Sequence, residues 1–203
     1  PAEMLQHLGP AGEAYLLRLA NRSWRHAEVP HPWRTAEIVP IFKGGGKDPT
    51  RRKSYRPISL TPVISKAVER LIKTRVQDHL ERNRQLAREQ AGYRVARSCE
   101  EHCVRLSQVI HDGLERKHCT VLLSVDATAA FDRMLKSKLY EKMRAKGLPE
   151  QVVSWFAAFL TARKARVRVD GTCSSYHTFE EGCPQGTVLG PLYHAASLAS
   201  IGW

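Results

Sequence analysis

Leu122-Leu123-Ser124-Val125-Asp126-Ala127-Thr128-Ala129-Ala130-Phe131-Asp132 is an apolar, β-prone segment that ends on a carboxylate, with an aromatic residue five positions on and a second carboxylate directly after it. A strand is expected over residues 120–125. An acid at the end of a buried strand costs free energy unless a cation or a hydrogen-bond network receives it. Asp in oxygen-only company suits Mg2+, whereas an Asp that caps the following helix is the ordinary alternative. The stretch alone leaves both open.

Outward from this segment the pattern is mixed, an α+β chain without regular βαβ alternation. Residues 1–29 read as helical, with Leu5, Leu8, Tyr15, Leu16 and Leu19 on one stripe broken at Gly9-Pro10. Residues 36–42 and 55–60 read as extended, the second because a residue before proline avoids the helical region. Thr61-Pro62 is a good helix start, and Ile64, Ala67, Val68, Leu71, Ile72 and Leu80 then fall on one face. A helix is expected over 100–114, with Leu106, Ile110 and Leu114 in register. After Asp132, Leu135, Leu139 and Met143 make a short helix that stops at Gly147. Pro149 starts another, carrying Val152, Phe156, Phe159 and Leu160. Residues 163–169 alternate, with Val167 and Val169 on one face, and Asp170-Gly171 signals a hairpin into a second extended run ending near Phe179. Trp24, Trp33 and Trp155 are expected in the core.

The chain of 203 residues carries a formal net charge of +12, which points to a polyanionic partner such as nucleic acid. A basic protein of the membrane surface would concentrate that charge on one amphipathic helix, and here it is spread over several segments. No apolar run reaches the roughly 18 residues needed to cross a bilayer. Five scattered cysteines and no secretory leader favour an intracellular, reduced protein. Cys99, His102, Cys103, His111, His118 and Cys119 crowd together but lack the second knuckle pair of a zinc site.

One loop combines glycine with charge. Between Lys43 and Arg56 there are six Lys or Arg residues and one Asp, around Gly44-Gly45-Gly46. Glycines let backbone N–H groups approach phosphate oxygens, and the cations neutralise them. Gly46-Lys47 is followed by Asp48 and not by a hydroxyl, so this is not a Walker loop. The loop is either a phosphate grip or a solvated turn. Arg163, Lys164, Arg166 and Arg168 could likewise track a nucleic-acid backbone or form a solvated strand face.

The order of the motifs is more specific than any one of them. Pro40 and the Lys43–Lys47 stretch precede Tyr55-Arg56-Pro57-Ile58-Ser59-Leu60; then come Gln90-Ala91-Gly92-Tyr93-Arg94 with Arg97-Ser98, Asp126 with Phe131-Asp132, and Pro184-Gln185-Gly186-Thr187-Val188-Leu189-Gly190-Pro191. Over residues 30–193 this series closely resembles the reverse transcriptase domain of non-LTR, LINE-type retrotransposons. The resemblance implies a right-hand polymerase with fingers and a partial palm over 30–193, no thumb, an N-terminal helical extension over 1–29 and a divergent tail over 194–203. It implies that Asp126 is the first catalytic aspartate and a ligand of Mg2+, with the carbonyl of Ala127 completing one shell. Phe131 falls where the family places the aromatic gate against a ribose 2′-hydroxyl. Arg56, with Lys43 or Lys47, matches positions that grip the triphosphate of an incoming dNTP. Gln185 and Gly186 match the loop that positions the template and nascent pair, and Arg94 matches a finger arginine along template or nucleotide. Asp132 is expected to be structural and Tyr55 a packing wall. RNA template, DNA primer and a nuclear site of action come with the same likeness; the oligomeric state does not.

The family's second metal-binding element, an aromatic-x-Asp-Asp hairpin, has no counterpart after Pro191. The expectation is therefore a truncated polymerase domain, without template-dependent activity as this chain alone and with an exposed sheet edge that lowers solubility. Two alternatives stand beside it: a nucleic-acid-binding remnant without chemistry, and a decayed retroelement product.

Overall fold

The fold grows from a hairpin and a returning strand in the computed structural model, which describes residues 2–126 and 130–193. The expected tail over 194–203 and the position of Ala127 lie outside the described residues. Helices α1 (Ala2–Gln6) and α2 (Gly9–His26) are separated at residues 7 and 8, so the break falls just before Gly9-Pro10, which start α2; α2 closes on Ala27 in the left-handed conformation. A 3-10 turn, His31–Arg34, delivers β1 (Thr35–Phe42), which pairs antiparallel with β2 (Tyr55–Leu60). The Lys43 N–H donates to the Ser54 carbonyl at 2.9 Å, which fixes the alternation of the ladder. Pro40 and Pro57, partners across the hairpin, then occupy positions whose N–H would point away from the partner strand. Neither proline removes a ladder bond.

The chain then makes a long helical excursion and returns to the other edge of β1. Helices α3 (Val63–Arg82), α4 (Cys99–Glu115), α5 (Lys136–Ala145) and α6 (Glu150–Leu160) precede β3 (Arg163–Val169), which lies parallel to β1 with Ala36 against Ala165. Parallel neighbours require such a crossover. Asp170 and Gly171, both at positive φ, turn the chain into β4 (Thr172–Cys173), and β5 (His177–Phe179) pairs with the start of β3. The expected α+β character and the Asp170-Gly171 hairpin are both present.

The core lies between α3, α5 and α6, with Trp33 and the segment 189–193 closing it. Trp155 and Phe159 stack at 5.2 Å between centroids, and the Trp155 indole N–H donates to Ser23 Oγ at 3.0 Å, joining α6 to α2. Burying each of these aromatic side chains contributes about 1.5–3 kcal/mol.

Three expectations need correction. The buried stripe of α3 runs through Ser65, Val68, Glu69, Ile72, Val76 and Leu80, so Leu71 and Ala67 face outward. On β3 the buried face is Arg163 and Ala165; Val167 and Val169 share that face but extend past the core and are exposed. No strand forms over 120–125 among the described residues, and Val121, Leu122, Leu123 and Val125 are 86%, 66%, 75% and 75% exposed. A strand exists only where a neighbour completes its ladder, and the described sheet is made of five strands elsewhere in the chain. Helix α4 forms as expected, capped by Ser98 Oγ accepting the Glu101 N–H at 3.2 Å, but buries none of its side chains.

Candidate functional site

The loop after β5 is fastened to two distant segments by its backbone. The Gly182 N–H donates to the Met134 carbonyl at 3.0 Å and the Cys183 N–H to the Phe131 carbonyl at 2.9 Å. Gly182 has φ +76°, and a Cβ there would sit 2.8 Å from the Asp132 carbonyl oxygen, so only glycine fits. Three residues on, the Ser59 N–H donates to the Gln185 carbonyl at 2.7 Å. Strand β2 is a sheet edge, and this bond occupies one of its outward N–H groups. Gly186, at φ +98°, lies where a Cβ would come within 3.0 Å of the Ser59 carbonyl oxygen. The Gln185 side-chain amide donates to Asp132 Oδ1 at 3.3 Å.

Three motifs from separate parts of the sequence thus meet: Pro57-Ile58-Ser59, Phe131-Asp132 and Pro184-Gln185-Gly186. Of these, Pro57, Ser59, Asp132, Pro184 and Gln185 border a cavity of about 260 Å³, to which Lys136, Arg163 and Lys164 also contribute. Lys136 Nζ donates to the Phe179 carbonyl at 3.3 Å, and burial holds its pKa below the usual lysine value against the pull of Glu181 and Glu180. Burial and then the Asp132 charge push the Cys183 thiol up to about 12, so it stays protonated and is no nucleophile. Phe131 is partly buried against the core and lies 3.5 Å from where a Cβ on Gly190 would stand.

The remaining candidate residues are distributed differently. Arg56 is exposed on β2, opposite Ile41. Lys43 and Lys47 lie in an exposed loop whose Gly44, Gly45 and Gly46 all have positive φ; Lys43 Nζ donates to the Lys53 carbonyl at 2.7 Å. Asp126 is exposed, and among the described residues no three His, Cys, Asp or Glu side chains converge as a metal shell. One exposed carboxylate does not fit a two-ion Mg2+ site, which needs several oxygen ligands in octahedral geometry.

Two predicted nucleic-acid contacts are engaged inside the protein. Arg163, expected on a backbone-tracking face, is only 5% exposed; its Nη1 donates to the Phe159 carbonyl at 3.2 Å and its guanidinium sits 4.5 Å over the Phe159 ring. Arg94 forms a two-pronged pair with Glu81, at 2.9 and 2.6 Å, and donates to the carbonyls of Ala87 and Gln90. Arg166 pairs with Glu37 and lies 5.1 Å over the Tyr176 ring, and Arg168 reaches Glu37 Oε2 at 3.2 Å. Glu37 is correspondingly held below the usual carboxylate range, first by the Arg166 hydrogen bond. Lys164 is exposed and borders the cavity.

Sequence reasoning passed over Glu69. It is wholly buried; Oε1 accepts from Ser65 Oγ at 3.0 Å, and Oε2 accepts from the N–H groups of Val188 and Leu189 at 2.9 and 3.4 Å. A glutamate in a helix reads as part of the solvent face, and only the lack of an apolar residue at this place on the stripe hinted otherwise.

Against families of known proteins, residues 43–201 match the reverse transcriptase (RNA-dependent DNA polymerase) family. The chain is 34% identical over 187 residues to the probable RNA-directed DNA polymerase from transposon BS of Drosophila melanogaster, covering 92% of this chain and 20% of that protein. Similarity of the same extent, 34% over 187 residues, links it to the RNA-directed DNA polymerase from mobile element jockey of Drosophila funebris. It is 33% identical over 180 residues to the probable RNA-directed DNA polymerase from transposon X-element of Drosophila melanogaster, covering 89% of this chain and 20% of that protein. The chain spans about one fifth of the length of these curated relatives.

Proposed function

The chain belongs to the reverse transcriptase (RNA-dependent DNA polymerase) family, and from that premise we propose that residues 30–193 are the fingers and part of the palm of a non-LTR retrotransposon polymerase, with residues 1–29 a helical extension. Its role is to bind an incoming dNTP against an RNA template and a DNA primer. The observation that supports this best is the docking of the Gln185-Gly186 backbone on Ser59 of β2, one strand from the glycine-rich basic loop.

In this reading Phe131 supplies the wall that meets the sugar, and Gln185, its amide turned by Asp132 Oδ1, lies along the nucleotide. Arg56 with Lys43 and Lys47 holds the triphosphate, where cations neutralise the oxygens of pyrophosphate as it leaves. Gly186 lets the template and nascent pair approach backbone without a side chain between them. Lys164, with Arg166 and Arg168 beside it on β3, lines the path of the template–primer backbone. Arg94 and Arg163 act through the protein's own carbonyls and carboxylates. Asp126 offers one carboxylate to a divalent cation, which alone does not fit a site for two Mg2+ ions. A nuclear site of action belongs to the same reading. Among the described residues no helix is long and apolar enough to cross a membrane.

A second reading, nucleic-acid binding without chemistry, is favoured by the +12 charge. Equilibrium binding and primer extension separate the two. The proposal expects purified chain to retain dNTP in the presence of primer–template, with Phe131→Ala and Gln185→Ala each weakening dNTP binding about tenfold, roughly the 1.4 kcal/mol of one lost contact. Primer–template affinity should stay within a factor of about two. Extension by this chain alone should not exceed background. Binding of primer–template with no dNTP retention would select the second reading.

A further inference from the structure

We propose that Glu69 is the positioning residue for the Gln185-Gly186 loop, acting from α3 through the backbone of Val188 and Leu189. The proposal rests on the reading that Gln185 lies against the nucleotide, and it identifies what holds Gln185 there. A carboxylate at 0% exposure, flanked on its stripe by Val68 and Ile72, is costly to bury unless its lone pairs are used. Here they are used by Ser65 Oγ one turn back and by two amides 119 and 120 positions away.

Those amides stand just ahead of the helical turn that begins at Gly190. Thr187 Oγ1, the nearest hydroxyl in sequence, donates to the Pro184 carbonyl at 3.0 Å and closes the loop. The two amides are taken by Glu69 of α3.

The loop is consequently clamped at two points. Ser59 of β2 takes the Gln185 carbonyl, and Glu69 takes the Val188 and Leu189 amides. Both clamps belong to the β2–α3 unit, joined through Thr61-Pro62. Between them sits Gly186, whose close approach to Ser59 leaves little room for a slide. Releasing the Glu69 end frees residues 186–189 to rotate and carries Gln185 away from Asp132. Glu69 does not border the cavity, so its effect on a nucleotide is indirect.

The test compares Glu69→Gln, Glu69→Ala and Glu69→Asp in the full chain. In Glu69→Gln the amide oxygen can still accept both N–H groups while the amide nitrogen donates to Ser65 Oγ. That variant should bind dATP within about twofold of the parent, whereas Glu69→Ala should weaken it about tenfold or more, as misplaced binding groups do. Primer–template affinity should hold in both, and hydrogen exchange in Glu69→Ala should accelerate at residues 184–189 more than in the α6 core. Should Glu69→Ala fail to fold, Glu69→Asp, which keeps the charge and loses the reach, is expected to show the same split. The proposal is overturned if these variants leave exchange at 184–189 unchanged, if they lower dATP and primer–template affinity equally, or if Glu69→Gln is as damaging as Glu69→Ala. A parent chain that binds no dATP refutes the nucleotide reading instead, and exchange at 184–189 still decides the anchor.

Discussion

The protonation of Glu69 is set mainly by where it lies. Burial raises its pKa above the ordinary 4.5, against the pull of Ser65, the Leu189 amide, Arg163 and the Val188 amide. Of the groups facing it, Arg163 stays charged and Tyr193, pushed well up by burial, stays neutral, so neither titrates in the acid range. A group whose folded pKa exceeds its unfolded one stabilises the fold fully below the unfolded value, and that contribution is lost as pH rises through the folded value. The parent should therefore lose stability relative to Glu69→Gln as pH rises above about 4.5. Denaturant unfolding of the pair across that range checks this, and a difference that does not change with pH would mean that the carboxylate is solvated. At this scale the sequence was readable where a residue's identity is dictated by backbone: Gly186 and Gln185 follow from the Pro-Gln-Gly motif. Glu69 was not readable, because what makes it exceptional is a contact with residues more than a hundred positions away.

Segment 85–97 illustrates how an element without regular secondary structure is held. Arg94 ties it to α3: its guanidinium spans Glu81 at the end of that helix and the carbonyls of Ala87 and Gln90. The Arg94 hydrogen bond, ahead of its field, keeps Glu81 below the usual carboxylate range. Glu81 thus stabilises the fold above its unfolded pKa and ceases to do so as pH falls, opposite in sign to Glu69. Arg94→Ala should cost about 2–3 kcal/mol, the scale of lost charge-assisted hydrogen bonds, and Arg94→Lys somewhat less, since an ammonium cannot span a carboxylate in two prongs. Unfolding free energies measure this; unchanged stability with weakened nucleic-acid binding would return Arg94 to the surface role that its motif implies. Motif likeness gives the position of such a residue but not the direction its donors take. The apolar run 120–125 failed as a strand for a related reason. Val121, Leu122, Leu123 and Val125 encode a preference for extended, covered backbone, but the ladder that would cover them must come from elsewhere, and none of the five described strands supplies it. Helices α3, α5 and α6 were legible because their stripes repeat within the element itself, although in α3 the stripe had to be rotated to admit Glu69.

For the whole molecule the decisive property is charge. A net +12 in 203 residues predicts binding to a polyanion, but the fold determines which cations are free to take part. Arg94 and Arg163 are committed internally, and Arg166 and Arg168 share Glu37. In the loop between β1 and β2, Lys47, Arg52 and Lys53 are exposed, while Arg51 is paired with Asp48 at 3.3 Å. Each phosphate neutralised releases counterion, so log affinity falls with log salt at a slope of roughly −0.7 per contact for single strands and −0.9 for duplex. Replacing Lys47, Arg52 and Lys53 together by Gln should therefore reduce the magnitude of that slope by about 2–3 and weaken all sequences alike. Replacing Arg70, Arg75 and Arg82, all exposed on α3, by Gln provides the control: it removes the same three positive charges from the molecule without touching the loop. A loss that tracked total charge equally in both variants would make the binding a property of net charge, whereas a loss confined to the loop variant makes the β1–β2 connection the place where the polyanion sits.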